Sequence, residues 1–491
     1  MMETMQKLRD NFADMVVYKD LKNTNFFSAL GLPSFTRDWL LQKFEDADGN
    51  FSQDELSDFV RQFIPKKEDW IRIKSRLIKE YERIKMLAKI EVDIRVGSGE
   101  VCFALPDLGV PPSDTIIEDD VWRECGKELV KGRETWGMIE IGYRPPDHSM
   151  SGKIRLLAFQ NFCPYEIDLE VFKDIRKEFS TAEWIDILLG AIDYNAAGYK
   201  DEEHKLTMLT RMLPFLEKRL NLIELAPKGT GKSYLFGKVS RFGWLSNGGV
   251  MSRAKLFYDI GKRQEGLVSG HDFITLDEVQ TISFTDADEM KGALKGYLEQ
   301  GDFKVANHAG VADAGMVLCG NINESLMEAD GMANMVSELP DDMFSRVSPA
   351  DASAMLDRFH GFIKGWNIPR MNDDLKVCGW ALNSEYFCSI LHELRSDASY
   401  RAIVDECIVV PPKSDTRDTE AVKRLTTAYL KLFFPNVRDA SDISEREFRR
   451  YCFRRALLMR STIKYQMGLI DSEYEGKDVP DLSLRSEVFG A

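Results

Sequence analysis

The spacing of apolar residues changes along the chain, and each change marks a predicted module. Residues 1–90 carry apolar side chains at three- and four-residue spacing, which is typical of amphipathic helices. Residues 91–175 carry short alternating runs separated by Gly, Pro and Asp, which is typical of short β-strands. Helical spacing returns over residues 176–220. We therefore predict an N-terminal helical region followed by a β-rich module and further helices.

The β-rich module at 91–175 allows two interpretations. A five-stranded oligonucleotide-binding (OB) barrel accounts economically for its short strands, and such barrels bind nucleic acid. A purely structural β-module between helices accounts for the same pattern equally well. The pattern of residues leaves both interpretations open.

The stretch 221–233 has the pattern of a strand, a phosphate-binding loop and the start of a helix. Small residues let backbone N–H groups surround phosphates, Lys232 would reach the β- and γ-phosphate oxygens, and Ser233 would offer a hydroxyl to Mg²⁺. Ala226 stands where the pattern G-x-x-x-x-G-K-[ST] has its first Gly. The predicted nucleotide contacts are Ala226, Pro227, Lys228, Gly229, Thr230, Gly231, Lys232, Ser233 and Tyr234.

Two carboxylates, Asp277 and Glu278, follow a second apolar run at 273–276. Ligands of doubly wound sheets bind at the carboxyl ends of the strands, where these residues would lie beside the phosphate loop. Asp277 would hold Mg²⁺ through its waters, and Glu278 would accept a proton from the attacking water. Together the two motifs predict a site that hydrolyses a nucleotide.

A third apolar strand, within 314–323, ends in polar amides. Asn323 or Asn321 could hydrogen-bond the attacking water or the γ-phosphate. A turn-forming Asn that merely caps a strand is the commoner explanation of such a sequence. The two preceding motifs make the functional interpretation worth testing.

Two arginines further along the chain are predicted to contact nucleotide. Arg358 follows a helix-like segment, from which it could reach the γ-phosphate of a neighbouring subunit as an arginine finger. Arg417 lies in the first turn of a long helix, for which Thr416 is the expected cap. A cation there opposes the helix dipole, so we expect an anionic partner such as ATP.

A hairpin is predicted at 301–311, between the second and third strands of the site. Its two short apolar runs are close enough to pair, and Lys304 and His308 lie near the expected tip. Both side chains are candidates for contact with nucleic acid.

The composition bounds the remaining possibilities. The 491 residues carry a formal net charge of −15, which argues against a surface coated generally with nucleic acid but permits a local basic channel. The 44% hydrophobic and 30% charged residues are typical of a globular protein. No apolar run is long enough to span a membrane and no signal sequence is evident, so we expect a cytoplasmic protein with no membrane partner.

The last part of the chain, 372–491, is predicted to form a helical lid and basic C-terminal helices. Arginines cluster with aromatic residues over 446–464, which fits either a nucleic-acid surface or a lid with a solvated basic face and an aromatic core face. We favour the lid, because the two residue types partly segregate at helical spacing.

The order of these motifs resembles the AAA+ ATPases with a pre-sensor hairpin, which include the replicative MCM helicases and Lon. Over about 179–435 the chain resembles more closely the Lon-related BrxL proteins of BREX phage-defence systems. The segments that carry this resemblance are FSTAEWIDILLGAI, NLIELAPKGTGKSYLF, LFYDIGKRQEGLVSGHDFITLDEVQ, MVLCGNIN and LDRFHGFIKGWNIPRM.

The resemblance implies an α/β AAA+ P-loop core at 176–371, with a doubly wound parallel sheet and a helical lid, after the helical segment and an OB-like DNA-binding module. It implies an ATPase that uses Mg²⁺, forms a ring of six or seven subunits, single or stacked, and acts on double-stranded DNA with other BREX proteins. The resemblance makes Asn323 the first sensor, with Asn321 as alternate, and Arg417 the second sensor. It makes Arg358 the arginine finger in trans. In the hairpin that contains HAGV, it makes Lys304 a better candidate for a phosphate contact than His308.

Long members of that family carry a Lon-like protease domain after this region, whereas this chain ends at residue 491 after a helical segment. We therefore expect no proteolytic activity. Two other functions stay open. One is a protein unfoldase of Lon type, although no clean aromatic pore loop follows the second strand. The other is a DNA-binding scaffold that uses ATP only to assemble.

Overall fold

The computed structural model describes residues 2–21, 32–44, 52–130, 135–147, 151–161, 167–261, 263–345 and 348–490. They divide into two compact units. The smaller unit is Leu40–Glu166, and the larger combines Met1–Trp39 with Ile167–Ala491.

The smaller unit contains a closed five-stranded β-barrel. Around the barrel the strands follow the order Ile84–Ile94, Val101–Ala104, Thr115–Ile117, Lys153–Asn161 and Thr135–Arg144. Neighbouring strands are antiparallel except for the pair Thr115–Ile117 and Lys153–Asn161, which is parallel. Apolar side chains alternate into the barrel, and Phe103, Ile141 and Leu156 are fully buried. The helices of this unit are Gln53–Phe63, Trp70–Lys79 and Asp119–Leu129.

The larger unit is built on a parallel five-stranded sheet, as predicted for the core. In sheet order its strands are Gly361–Lys364, Leu222–Ala226, Gly315–Asn321, Phe273–Phe284 and Gly243–Met251. The apolar residues of the first four of these strands are almost wholly buried, because both faces of a parallel sheet are covered, whereas Gly243–Met251 at the edge of the sheet is largely exposed or half-buried. Because all five strands are parallel, their carboxyl ends lie on the same side of the sheet.

Helices and small ribbons surround this sheet. In the described residues the two-stranded ribbons are Val16–Asp20 with Cys378–Leu382, Tyr258–Asp259 with Gln264–Glu265, Asp302–Val305 with His308–Val311, and Ile408–Val409 with Ser483–Leu484. The α-helices of four or more residues are Met2–Phe12, Ser34–Phe44, Leu169–Arg176, Thr181–Ala191, Glu202–Thr210, Leu213–Leu216, Arg253–Leu256, Leu267–Gly270, Ala287–Gln300, Glu324–Glu328, Pro349–Leu356, Ser384–Arg395, Ser399–Cys407, Thr416–Phe433 and Arg454–Ile470.

The N-terminal region differs from the all-helical prediction for 1–90. Val16–Asp20 is a strand that pairs antiparallel with Cys378–Leu382, and the first barrel strand already begins at Ile84. Val16 and Val17 are β-branched residues that favour a strand. Their partner lies some 360 residues away, so helical spacing in the flanking segments could not reveal the pairing.

The C-terminal basic stretch has the aromatic core face that the lid interpretation requires. Phe448 and Phe453 are buried. Its basic face is only partly solvated, because Arg460 is fully buried and donates to Asp418 at 2.7 Å. Lys464 donates to the other oxygen of the same carboxylate, also at 2.7 Å. These two cations therefore stabilise the interior of the unit.

Among the residues with described positions, we find no helix that combines the length and the apolarity needed to cross a membrane.

Candidate functional site

The predicted phosphate loop lies at the carboxyl end of the strand Leu222–Ala226. Gly229 and Gly231 both have positive φ, at 80° and 77°, a conformation that favours Gly. At Gly231 space is also limiting, because a Cβ would collide with the Tyr194 hydroxyl. Lys232 begins the following helix and is 8% exposed, and its Nζ lies 3.4 Å from the Pro227 carbonyl oxygen.

The loop accommodates Ala226 because of a second glycine. Ala226 is fully buried, and a Cβ at Gly365 would overlap its methyl group. Gly365 directly follows the neighbouring strand Gly361–Lys364. The side chain that Ala226 adds to the motif thus occupies space that Gly365 leaves empty.

A buried ion pair supports the loop from behind. Arg211 and Glu224 are both fully buried, and the Arg211 Nε lies 3.0 Å from a Glu224 carboxylate oxygen. Arg211 also donates to the Thr230 carbonyl oxygen at 2.7 Å and to its hydroxyl at 3.1 Å. Sequence reasoning missed this pair. The available signal was Glu224 itself, since a charge inside an apolar strand requires a buried partner.

Ser233 and Asp277 meet, as the two motifs predicted. The Ser233 hydroxyl donates to Asp277 Oδ2 at 2.5 Å, and Asp277 is only 4% exposed. The strand Phe273–Phe284 brings this carboxylate to the loop although 44 residues separate the two. A hydroxyl and a carboxylate are the hard oxygen ligands that Mg²⁺ prefers, and substrate phosphates usually complete its coordination. The donor set therefore fits Mg²⁺.

Glu278 lies at the same edge of the sheet and is exposed. Its φ is +51°, and the pairing register with Gly243–Met251 breaks between Asp277 and Ile282. Such backbone strain in a residue other than Gly costs on the order of 1–3 kcal/mol and concentrates at functional sites. The break leaves the Glu278 carboxylate facing solvent at the strand end.

The two candidate amides have different surroundings. Asn321 ends its strand directly opposite Ala226 in the sheet register, so it is adjacent to the phosphate loop. Its backbone carbonyl accepts from Gln280 at 2.7 Å. Asn323 directly precedes the helix Glu324–Glu328 without capping it through its side chain, which instead donates to Glu338 at 2.9 Å. The alternate candidate, Asn321, is therefore the one placed beside the loop.

Arg358 lies at the amino ends of the sheet's strands, whereas the phosphate loop lies at their carboxyl ends. It precedes the strand Gly361–Lys364, and its carbonyl oxygen is 3.3 Å from the Asn221 side-chain nitrogen, at the start of the loop strand. Its guanidinium donates to the Lys295 carbonyl oxygen at 2.9 Å and to Glu299 at 2.8 Å. Within one chain this arginine does not contact the predicted nucleotide site.

Arg417 lies beside Arg358, and the cap of its helix differs from the predicted one. The anion that faces it is protein, since it donates to Glu299 at 2.7 Å and to Asp357 at 3.0 Å. Hydrogen bonds to these two carboxylates raise the pKa of Arg417 further above its usual value. The helix cap is Asp415, whose carboxylate accepts from two backbone N–H groups, and Thr416 is the first helical residue. A carboxylate one position earlier is a sufficient cap.

The predicted hairpin is present, and its turn is Ala306 and Asn307. HAGV is therefore its second strand and not its tip. His308 stacks on Tyr258 with ring centroids 3.6 Å apart, and its Nε2 lies 3.0 Å from Glu265. Lys304 is exposed, so it is the better placed of the two candidates for contact with a partner.

A buried polar cluster joins the N-terminal segment to the phosphate-loop helix. The Asp193 carboxylate accepts from Arg37 at 2.6 Å, Lys19 at 3.0 Å, Ser34 at 2.7 Å and Tyr234 at 2.6 Å. Burial alone would raise the pKa of Asp193, but Arg37 and Lys19 hold it well below its ordinary value. Sequence reasoning singled out Tyr234 only as a loop neighbour and missed its partners, which are distant in the chain.

Two family models match this chain. Residues 154–479 match a family described as "Lon-like protease BrxL-like, ATPase domain", and 10–143 match "BREX system Lon protease-like protein BrxL N-terminal". A "Lon-like protease BrxL" of Escherichia coli O9:H4 (strain HS) is 28% identical over 464 residues, covering 94% of this chain and 64% of the relative.

A second relative of the same description, from Bacillus cereus (strain H3081.97), is 28% identical over 471 residues, covering 94% of this chain and 66% of the relative. The chain thus spans about two thirds of the length of these curated relatives. The match to the ATPase domain includes the phosphate loop, Asp277 and both arginines.

Proposed function

This chain belongs to the BrxL family of Lon-like proteins, and from that premise we propose that it hydrolyses ATP at sites shared between neighbouring subunits of a ring. The observation that carries the ATPase proposal is the 2.5 Å contact between Ser233 and Asp277. It joins the hydroxyl that follows the phosphate loop to a nearly buried carboxylate on the strand Phe273–Phe284. This is the arrangement that holds nucleotide-bound Mg²⁺ in P-loop ATPases.

The positions of the site residues support a proposed role for each. Lys232 would neutralise the β- and γ-phosphates, while Ser233 and Asp277 would hold Mg²⁺, which would offset charge on the same phosphates. Glu278 would take the proton of the attacking water, because its carboxylate is exposed at the same sheet edge. Asn321 would orient that water from the neighbouring strand end.

The distance between the two ends of the sheet's strands supports a site shared between subunits. The register pairs Gly361 with Leu222, and the loop strand then runs for four further residues before the phosphate loop begins. At roughly 3.3 Å per residue that interval exceeds about 13 Å, so Arg358 cannot reach the phosphates of its own subunit. A second copy that presents this edge to the loop would supply Arg358 and Arg417 together.

We propose double-stranded DNA as the ring's partner. The closed five-stranded barrel has the strand number and compactness of OB folds, which bind nucleic acid through one face and its flanking loops. Lys304 on the exposed hairpin would add a phosphate contact. Hydrolysis would then drive or gate movement on DNA in BREX-type phage defence, in rings of six or seven subunits, single or stacked.

The test is ATP turnover of the Glu278→Gln variant. We expect turnover to fall by roughly 10²–10⁴-fold, as for loss of a general base, while ATP binding is retained. Glu487→Gln is the matched control, because that side chain is 75% exposed and far along the chain from every site residue. Unchanged turnover in the Glu278 variant would refute the assignment.

The DNA proposal needs a separate measurement. Electron micrographs of the protein with and without duplex DNA should show closed rings with DNA through the centre. Directional displacement of a roadblock on DNA would then identify a motor, whereas a scaffold that uses ATP only for assembly would leave the roadblock in place. Rings that never contain DNA would count against DNA as the partner.

A further inference from the structure

A single carboxylate, that of Glu299, contacts both arginines that the proposed function assigns to the shared site. Glu299 lies in the last turn of the helix Ala287–Gln300. One of its oxygens accepts from Arg358 at 2.8 Å, and the other accepts from Arg417 at 2.7 Å. The Arg417 hydrogen bond and the two guanidinium charges lower the pKa of Glu299, so this carboxylate is ionised at neutral pH.

The position of Glu299 is unfavourable for the helix taken alone. The last turn of a helix carries the negative end of the helix dipole, which favours cations over carboxylates. The cation one turn earlier, Lys295, donates to Asp351 at 2.9 Å. The two arginines therefore supply the positive charge that makes a carboxylate acceptable at this position.

The Arg358 guanidinium is retracted into its own subunit. Each of its three nitrogens donates within the chain, to the Lys295 carbonyl oxygen, the Ala354 carbonyl oxygen and the Glu299 carboxylate. The side chain is only 13% exposed. A finger that serves a neighbouring subunit must contact the γ-phosphate there. Arg358 therefore has to give up part of this arrangement when the neighbour binds ATP.

Of these three acceptors, only Glu299 carries a negative charge. Its contact with Arg358 adds Coulomb attraction to the hydrogen bond, whereas the two carbonyl oxygens offer only their dipoles. A γ-phosphate presents the same kind of partner, because its anionic oxygens also match the donors of a guanidinium. The carboxylate and the phosphate would therefore compete for one cation.

Arg417 keeps Glu299 paired when Arg358 leaves. It is anchored a second time, because it also donates to Asp357 at 3.0 Å, and Asp357 is only 7% exposed. A carboxylate left without any cation would oppose the release of Arg358. With Arg417 still in contact, the transfer of Arg358 to a phosphate leaves Glu299 with one cation.

We infer that Glu299 is a latch, which holds Arg358 back while the neighbouring subunit lacks a nucleoside triphosphate and releases it when the γ-phosphate arrives. The inference rests on the proposed function, because it concerns the regulation of the same shared site. Such a latch raises the ATP concentration needed to fill the site, since part of the binding free energy goes into releasing the arginine. Glu299 is thus a positioning residue that acts through Arg358.

The test is steady-state ATP turnover by the full chain carrying Glu299→Gln. Glutamine is uncharged and has one acceptor oxygen, so it cannot accept from both arginines. We expect the KM for ATP to fall by about fivefold, as for loss of the charge from one hydrogen bond. At saturating ATP the latch is already released, so kcat should change by less than about twofold.

Glu420→Gln is the matched control for this variant. Glu420 pairs with Arg401 at 2.8 Å, and its side chain is 45% exposed, comparable with 36% for Glu299. Loss of this pair should leave the KM for ATP unchanged. An unchanged or raised KM in the Glu299 variant would overturn the inference, because a contact that only stabilises the fold has no reason to oppose ATP.

A second measurement asks whether the effect passes through Arg358. ATP binding is titrated calorimetrically in full chains carrying Glu278→Gln, so that ATP is not consumed, with and without Arg358→Ala. Glu299→Gln should tighten ATP binding by about fivefold only where Arg358 is intact. Equal tightening without Arg358 would overturn the latch.

Failure of the latch and failure of the proposed function give different results. If mixed Lys232→Ala and Arg358→Ala subunits recover no turnover, the shared site is wrong and the latch is wrong with it. If that mixture recovers turnover while Glu299→Gln leaves the KM unchanged, the shared site stands and only the latch is refuted.

Discussion

Replacing Arg358 with alanine removes the cation that, in the proposed ring, serves the ATP of the adjacent subunit. Loss of an arginine finger typically lowers turnover by roughly 10³–10⁵-fold. The variant also loses hydrogen bonds to the Lys295 carbonyl oxygen and to Glu299, so its thermal unfolding must be compared with the unmodified protein. Loss of turnover alone would not distinguish a finger in trans from a residue acting within one chain.

Mixing two inactive variants makes that distinction. A shared site needs Lys232 from one subunit and Arg358 from the next, because the two residues lie at opposite edges of the sheet. In rings assembled at random from equal amounts of Lys232→Ala and Arg358→Ala subunits, about one quarter of the interfaces combine both intact residues, whatever the ring size. We therefore expect the mixture to recover about one quarter of normal ATPase activity.

A second mixture is the control. Lys232 and Glu278 lie at the same edge of one subunit's sheet, so a mixture of Lys232→Ala and Glu278→Gln subunits contains no complete site. Its turnover should stay at the level of the separate variants. Refutation would come from a Lys232→Ala and Arg358→Ala mixture that stays equally inactive although the subunits are shown to co-assemble.

Three further changes test other parts of the structure. Asp193→Asn should lower the free energy of unfolding near pH 7 by about 3 kcal/mol in urea titrations, because two buried cations, Lys19 and Arg37, would then share the single carboxylate of Asp38. Since the folded-state pKa of Asp193 is lowered, this difference should be present above the ordinary Asp pKa of about 3.9 and shrink as pH falls below it. Gly365→Ala should weaken ATP binding by crowding the phosphate loop, and adding Ala226→Gly should restore part of the loss. Lys304→Ala should weaken duplex-DNA binding and reduce its salt dependence by about one counterion, whereas Lys177→Ala, at another exposed lysine, should not.

The parts of the site that were predictable are those encoded within short stretches of chain. The phosphate loop, and the carboxylates Asp277 and Glu278, each occupy a few consecutive residues after an apolar strand. Strand, loop and helix starts are decided mainly by local residue preferences, and parallel strands bring their carboxyl ends to one edge. The contact between Ser233 and Asp277 follows from that rule. The roles of these residues in hydrolysis stay predictions.

The barrel was predictable only as one of two interpretations. Alternating apolar residues over 91–175 indicated short strands, and the structure has them in a closed barrel whose first strand begins at Ile84. Closure depends on which strands pair, including the parallel pair of Thr115–Ile117 with Lys153–Asn161. No local pattern specifies such a pairing, because it joins residues across the whole module.

By itself, the sequence determined the presence of a P-loop nucleotide motif and of the carboxylates that accompany it. Its motifs also indicated the family that the chain resembles. Only the tertiary structure decided that Arg358 and Arg417 share Glu299 away from the phosphate loop, and that Lys19, Arg37 and Tyr234 all donate to Asp193. The physical reason is the range of the interactions. A motif is selected by the backbone conformation of neighbouring residues, whereas these arrangements depend on packing between segments that are distant in the chain.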